Sequence, residues 1–271
     1  MVKKIHVDSL IFDVDGVLLN VEKSFPEVIR QGVLRGWTRF CGGERDCEGY
    51  GPGHEWVMKR HGAFNDDFDL TWALLSICAA AGPKKLSQAF PSPEKLAAEV
   101  ATLRGDDVAA WVLSRYGDRV PRGAVRQMCA GLYQGTDAEE GLFRLEIPML
   151  RCSWRDLPLP VGIYSGRCMA EWNLAKKSLG WEDFPTERVI HSDTGIMKPS
   201  PRGLEILCER MGVELPLFFG DTASDMRAQA AFGRGQFVAV GGLLPEAPMV
   251  FKDTESALEG LLNFKTEQAG M

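Results

Sequence analysis

The chain has 271 residues, 45% of them hydrophobic and 25% charged, with a formal net charge of -6. Those fractions are ordinary for a globular fold, and the length suffices for one large domain or two smaller ones. The acidic balance removes the electrostatic ground for nucleic acid or an anionic membrane as partner, and the longest apolar stretches, near 74–81 and 215–219, fall short of the roughly 20 residues a membrane helix needs.

The start of the chain is positive, but Asp8, Asp13 and Asp15 break the apolar run that a signal peptide requires. Residues 9–12 read as a strand. It runs directly into Ile11-Phe12-Asp13-Val14-Asp15-Gly16-Val17, where two aspartates interrupt an otherwise apolar segment. Ionised carboxylates in such a setting cost several kcal/mol or more unless something pairs with them.

From 21 to 145 the pattern is helical. Ser24 and Glu27 have the spacing of a capping box, with Pro26 early in the first turn. Asp69 is placed to cap a helix over 70–81 that Gly82-Pro83 ends. Further helices are predicted over 92–104, 106–116 and 122–133. Gly51-Pro52-Gly53 reads as a loop and lacks the glycine pattern of a phosphate cradle. Trp37, Trp56, Trp72 and Trp111 read as packing residues. Cys41, Cys47, His54 and His61 are spaced too widely for a structural zinc site. The seven cysteines are odd in number, scattered and without C-x-x-C, which predicts reduced thiols and a cytoplasmic setting.

After the helical block, strands over 159–164, 188–191, 217–219 and 236–240 alternate with helices over 169–179, 201–211, 224–232 and 255–263. This alternation predicts an α/β fold, a doubly wound, Rossmann-like parallel sheet. The all-helical block at 21–145 is then a separate domain inserted into a core made of 1–20 and 146–271.

In open parallel sheets the ligand crevice lies at the carboxyl ends of the strands. Asp13 and Asp15 sit there, as do Ser165-Gly166-Arg167 and Gly220-Asp221-Thr222-Ala223-Ser224-Asp225; Lys198 precedes a helix in the same half of the chain. Each has an unremarkable reading alone: a turn, a solvated lysine, a helix cap. Four carboxylates against one lysine leave an excess of negative charge that a divalent cation offsets. An all-oxygen donor set suits Mg²⁺, which keeps some of its waters and shares its site with phosphate.

With these residues the chain resembles the haloacid dehalogenase superfamily. The resemblance spans the core, and the insert resembles the helical cap of the subfamily that includes phosphoglycolate phosphatase and β-phosphoglucomutase. It implies Asp13 as a nucleophile forming an aspartyl-phosphate and Asp15 as the acid/base, with a pKa raised by anionic neighbours. It implies Ser165 and the Gly166 amide on the phosphoryl oxygens, and Lys198 neutralising charge. Asp13, the Asp15 carbonyl, Asp221 and Asp225 are the implied Mg²⁺ site, and Gly16 adjoins the substrate. An aspartate at position 15 favours phosphoryl chemistry over dehalogenation. The expected substrate is a small phosphorylated metabolite. The alternatives are a phosphosugar mutase on the same core and a non-catalytic phospho-acceptor or binding protein. For substrate contacts, Asn65, Asp66 and Arg167 are the candidates; their plainer readings are a turn before the Asp69 cap and a solvated arginine.

Overall fold

A computed structural model describes residues 5–44, 46, 50–64 and 66–265. The chain divides into two compact units, one of residues 1–21 and 146–271, the other of 22–145.

The first unit begins with β1 (Ser9–Phe12) and β2 (Leu19–Asn20). In the second unit come α1 (Phe25–Phe40), α2 (Pro52–Lys59), α3 (Asp67–Ala81), α4 (Leu86–Ala89), α5 (Pro93–Val100), α6 (Val108–Tyr116) and α7 (Arg122–Gln134). The first unit then resumes with β3 (Ile147–Pro148), β4 (Val161–Tyr164), α8 (Met169–Ser178), β5 (Val189–Ile190), α9 (Arg202–Met211), β6 (Pro216–Gly220), α10 (Ala223–Phe232), β7 (Gln236–Val240), β8 (Val250–Phe251) and α11 (Thr254–Leu262).

Six strands form one parallel sheet in the order β5-β4-β1-β6-β7-β8. Strand β1 is central because both its faces are apolar: every residue of Ser-Leu-Ile-Phe is buried. Side chains alternate between faces. Leu10 and Phe12 join Ile163, Phe219 and Val238 in a core closed by Trp172 and Ala175 of α8 and by Ala257 and Leu258 of α11. Ile11 and Phe218 point the other way, into a core with Leu204 and Leu207 of α9 and Ala228 of α10. Helices thus cover both faces. The chain runs from β1 out to β4 and β5, then crosses β1 to reach β6, so the order of winding reverses at β1. Leu19 and Asn20 pair antiparallel with Pro148 and Ile147 where the chain leaves the sheet and returns.

In the helical unit, α3 packs against α1, α6 and α7. It is buried nearly all round, from Phe68 to Cys78. Its cap differs from the sequence expectation. Asp66, in extended backbone, accepts hydrogen bonds from the Phe68 and Asp69 amides at 2.9 and 3.0 Å. Asp69 lies inside the first turn and pairs with Arg122 at 2.7 Å and Arg126 at 2.9 Å. Nor does Ser24 close a capping box. Its backbone is already helical (φ -96°, ψ -72°), and its side chain makes no cap hydrogen bond. Glu27 instead accepts from Arg30 and Gln31. Pro52 and Gly53 are not in a loop. They open α2 behind the N-cap Gly51, since proline costs nothing in a first turn whose amide has no partner anyway. Trp37, Trp72 and Trp111 are buried, whereas Trp56 is 61% exposed beneath the Arg60 guanidinium. Of the expected zinc-excluded set, His54 has both ring nitrogens engaged, by Gly51 and Pro91; Cys47 lies outside the described residues.

Candidate active site

Register brings the sequence-predicted residues together. Phe12 pairs with Ile163 on one side and Phe219 on the other. Asp13, Ser165 and Asp221 therefore leave the sheet from the carboxyl ends of three adjacent strands. The Asp13 amide still donates to the Phe219 carbonyl at 2.9 Å, which fixes the backbone of Asp13 as an extension of β1. Its Oδ1 accepts from the Val14 amide at 2.7 Å, and its Oδ2 lies 2.8 Å from Lys198 Nζ. Burial, opposed by the Lys198 ammonium and reinforced by Asp225 and Asp15, raises the Asp13 pKa to about 7.

Past Asp13 the chain turns tightly, with Leu18 and Leu19 amides on the Val14 carbonyl. Gly16 makes this possible at φ +69°. A Cβ there would stand 2.2 Å from Asp221 Oδ2, so Gly16 also admits the Asp221 carboxylate against the turn. The structure gives Gly16 this packing role.

The other carboxylates come from the β6–α10 junction. Thr222 caps α10, and Asp225, three residues on, returns its Oδ2 to the Thr222 amide at 3.0 Å and hydroxyl at 2.6 Å. That reciprocal cap buries Asp225 completely and aims its Oδ1 at Lys198 Nζ, 2.6 Å away. Asp221 Oδ1 is buried with no hydrogen-bond partner. Burial first, then Asp13 and Asp225, push the Asp221 carboxyl well above its usual range. For Lys198, burial favours the neutral amine, but Asp13 and Asp225 outweigh it and hold the group as an ammonium. One oxygen from each of Asp13, Asp221 and Asp225 lies within 4.8 Å of the others. Hard oxygen donors around a buried orphan acceptor fit a small divalent cation.

Ser165 is buried at the end of β4, its amide on the Ile190 carbonyl at 3.0 Å. Gly166 beside it is exposed.

Arg167 is neither solvated nor free to reach a substrate. Its side chain is 1% exposed. Nε and Nη2 both donate to Asp15 Oδ1, at 2.9 and 2.5 Å, and Nη2 also donates to Glu146 Oε1 at 2.9 Å. The charge nearest to Asp15 is therefore a guanidinium. Glu146 is not among the residues that the sequence singles out. Its signal was the one that marked Asp13, a carboxylate within an apolar run, here Leu145-Glu146-Ile147. Among the candidates of the helical unit, Asp66 caps α3 through Oδ1 and pairs with Arg126 at 2.8 Å through Oδ2. Asn65 lies outside the described residues.

Comparison with known proteins identifies the family and the fold. A family model described as haloacid dehalogenase-like hydrolase matches residues 7–233. Among solved structures, phosphatase Tt82 from Thermococcus thioreducens is 27% identical, with a TM-score of 0.66 over 93% of this chain and 99% of that one. A subfamily IA haloacid dehalogenase-superfamily hydrolase from Geobacter sulfurreducens aligns over 94% and 100% of the two chains at 15% identity and a TM-score of 0.52. A hydrolase from Pseudomonas syringae does so over 96% and 100% at 15% identity and 0.52. Among curated proteins, none matches the chain.

Proposed function

Because the chain belongs to the haloacid dehalogenase-like hydrolases, we propose that it is a Mg²⁺-dependent phosphatase that hydrolyses a small phosphorylated metabolite through an aspartyl-phosphate. The observation that carries the reading is the Asp13 carboxylate, 2.8 Å from the Lys198 ammonium inside a three-carboxylate cluster whose Asp221 Oδ1 lacks a partner. The phosphatase from Thermococcus thioreducens supports the reaction class.

Asp13, Asp221 and Asp225 would hold the cation, with the Asp15 carbonyl. When bound, it supplies positive charge against the phosphoryl oxygens. The chain's own residues do the rest. The Ser165 hydroxyl, the Gly166 amide and Lys198 orient the phosphoryl group. Asp13 attacks phosphorus as the ester bond breaks, and Asp15 gives its proton to the departing alkoxide. Asp15 then takes a proton from water as that water attacks the aspartyl-phosphate, releasing phosphate and restoring Asp13.

The insertion of residues 22–145 between β2 and β3 supports reading the helical unit as a cap, which favours a substrate small enough to be enclosed. Asn65 is retained as a contact within that unit. The six described cysteines are free thiols, which supports a cytoplasmic setting; among the described residues no helix is long and apolar enough to cross a membrane.

The test is hydrolysis of p-nitrophenyl phosphate and a panel of phosphorylated metabolites with Mg²⁺. We expect turnover that EDTA and Asp13→Asn both abolish. Ordinary turnover by folded Asp13→Asn overturns the mechanism, and conversion of a hexose 1-phosphate to the 6-phosphate replaces hydrolysis with mutase chemistry.

A further inference from the structure

We propose that Arg167, anchored by Glu146, is a positioning residue for Asp15, and that Oδ2 of Asp15 is the oxygen that carries the proton. The proposal deepens the phosphatase reading and rests on it.

A guanidinium 1% exposed is costly to bury, and it persists only where anions meet it. Two do. They are not equivalent: the Glu146 side chain is 0% exposed and that of Asp15 is 34% exposed. Glu146 is thus an enclosed anchor that keeps the guanidinium neutralised and in place whatever Asp15 is doing. Asp15 is the member that faces outward.

The fork is also asymmetric. Both donors of Arg167 that reach Asp15 converge on Oδ1. Oδ2 takes no hydrogen bond from any described residue. Two bonds to one oxygen block rotation of the carboxylate plane and present the other oxygen in a fixed direction. Positioning of this kind is what general acid–base catalysis requires of its carboxyl. The same residue also holds the phosphoryl-binding hydroxyl, since the Arg167 amide donates to Ser165 Oγ at 3.2 Å. One arginine therefore fixes the distance between the group that orients phosphate and the group that protonates its leaving oxygen. In the reaction, the Oδ2 proton passes to the leaving oxygen as the P–O bond breaks, and Oδ2 later takes a proton from the attacking water, so the cycle returns Asp15 unchanged.

The experiment compares an alkyl phosphate with p-nitrophenyl phosphate, whose leaving group departs without a proton. With Arg167→Met we expect kcat on the alkyl ester to fall about 100-fold or more and on p-nitrophenyl phosphate less than about tenfold, with KM within about threefold on both. In an Asp15→Asn background the same substitution brings no further loss. Arg167→Met leaves Glu146 buried without its cation, so Arg167→Met with Glu146→Gln provides a second variant for which folding is checked by circular dichroism. Equal losses on the two esters, or a further loss in the Asp15→Asn background, overturn the proposal. Melting temperatures of wild type, Asp15→Asn, Arg167→Met and the double variant read the pairing without any turnover: a non-additive cycle is expected, and additive shifts overturn it. The phosphatase reading fails separately, through undiminished hydrolysis by Asp13→Asn.

Discussion

Burial of Asp13 makes a proton and a divalent cation competitors for the same cluster. Its carboxyl is raised from 3.8 to about 7. At about 1.4 kcal/mol per pH unit, ionising it costs the metal-free fold about 4 kcal/mol above pH 7. Between pH 4 and 7 the folded chain holds a proton that the unfolded chain has released. Stability of the metal-free protein therefore falls as pH rises through that window and levels off above it. Asp221, pushed upward by burial, adds to the slope. Mg²⁺ at a hundredfold over its dissociation constant would return about 2.7 kcal/mol, and only where the carboxylates are ionised. The assay is a thermal or denaturant melt from pH 5 to 8.5, in EDTA and in Mg²⁺. We expect the two curves to meet near pH 5 and to separate by pH 8, and Asp13→Asn to flatten the EDTA curve. Identical pH dependence with and without Mg²⁺ would refute the reasoning, as would an Asp13→Asn protein that keeps the full slope.

Gly16→Ala forces a side chain into a left-handed backbone, at about 1–2 kcal/mol, and presses its Cβ on Asp221. Calorimetric titration should show Mg²⁺ affinity reduced at least about tenfold; unchanged affinity would remove Asp221 from the cation site. Asp66→Ala should lower stability by about 1 kcal/mol through loss of the α3 cap, with KM for the substrate unaltered. A large rise in KM would restore Asp66 as a substrate contact. Asp69 is raised by burial but lowered more by Arg122 and Arg126, so its folded pKa lies below 3.8. Its contribution is present above pH 4 and lost as pH falls through the lower folded value. Asp69→Asn should remove about 1–2 kcal/mol near neutral pH, discounted for the exposure of both arginines. Acid melts of the variant should lack the wild-type decline below pH 4.

What the sequence reveals depends on how local the cause is. Strand β1 is legible because burial on two faces leaves an unbroken apolar run, and Asp13 and Asp15 are legible because charge conflicts with that run. The pairing of Arg167 with Glu146 and Asp15 is not. Arg167 lies 21 residues from Glu146 and 152 from Asp15. Charge complementarity across such separations leaves no periodic trace, so a buried arginine looks like any surface one. The sequence points to Asp69 as the α3 cap, three residues past the actual one, because Asp66, Asp67 and Asp69 are chemically alike as caps. Arg122 and Arg126, on a distant helix, draw Asp69 away from that role. Helix α2 was hidden by its glycines and proline, and β2, β3 and β8, two residues each, are too short to show alternation.

The central place of β1 has a consequence for how the protein is made. Both its partners, β4 and β6, are encoded beyond the helical insertion. At ordinary ribosomal rates of 5–20 residues per second, this apolar strand emerges on the order of ten seconds before either neighbour exists. During that interval residues 22–145 can collapse on their own while Ser9–Phe12 stays unpaired. A strand translated ahead of the insertion is thus sheltered only after it, and nascent chains stalled within the insertion should be the species that chaperones engage and that aggregate when they do not.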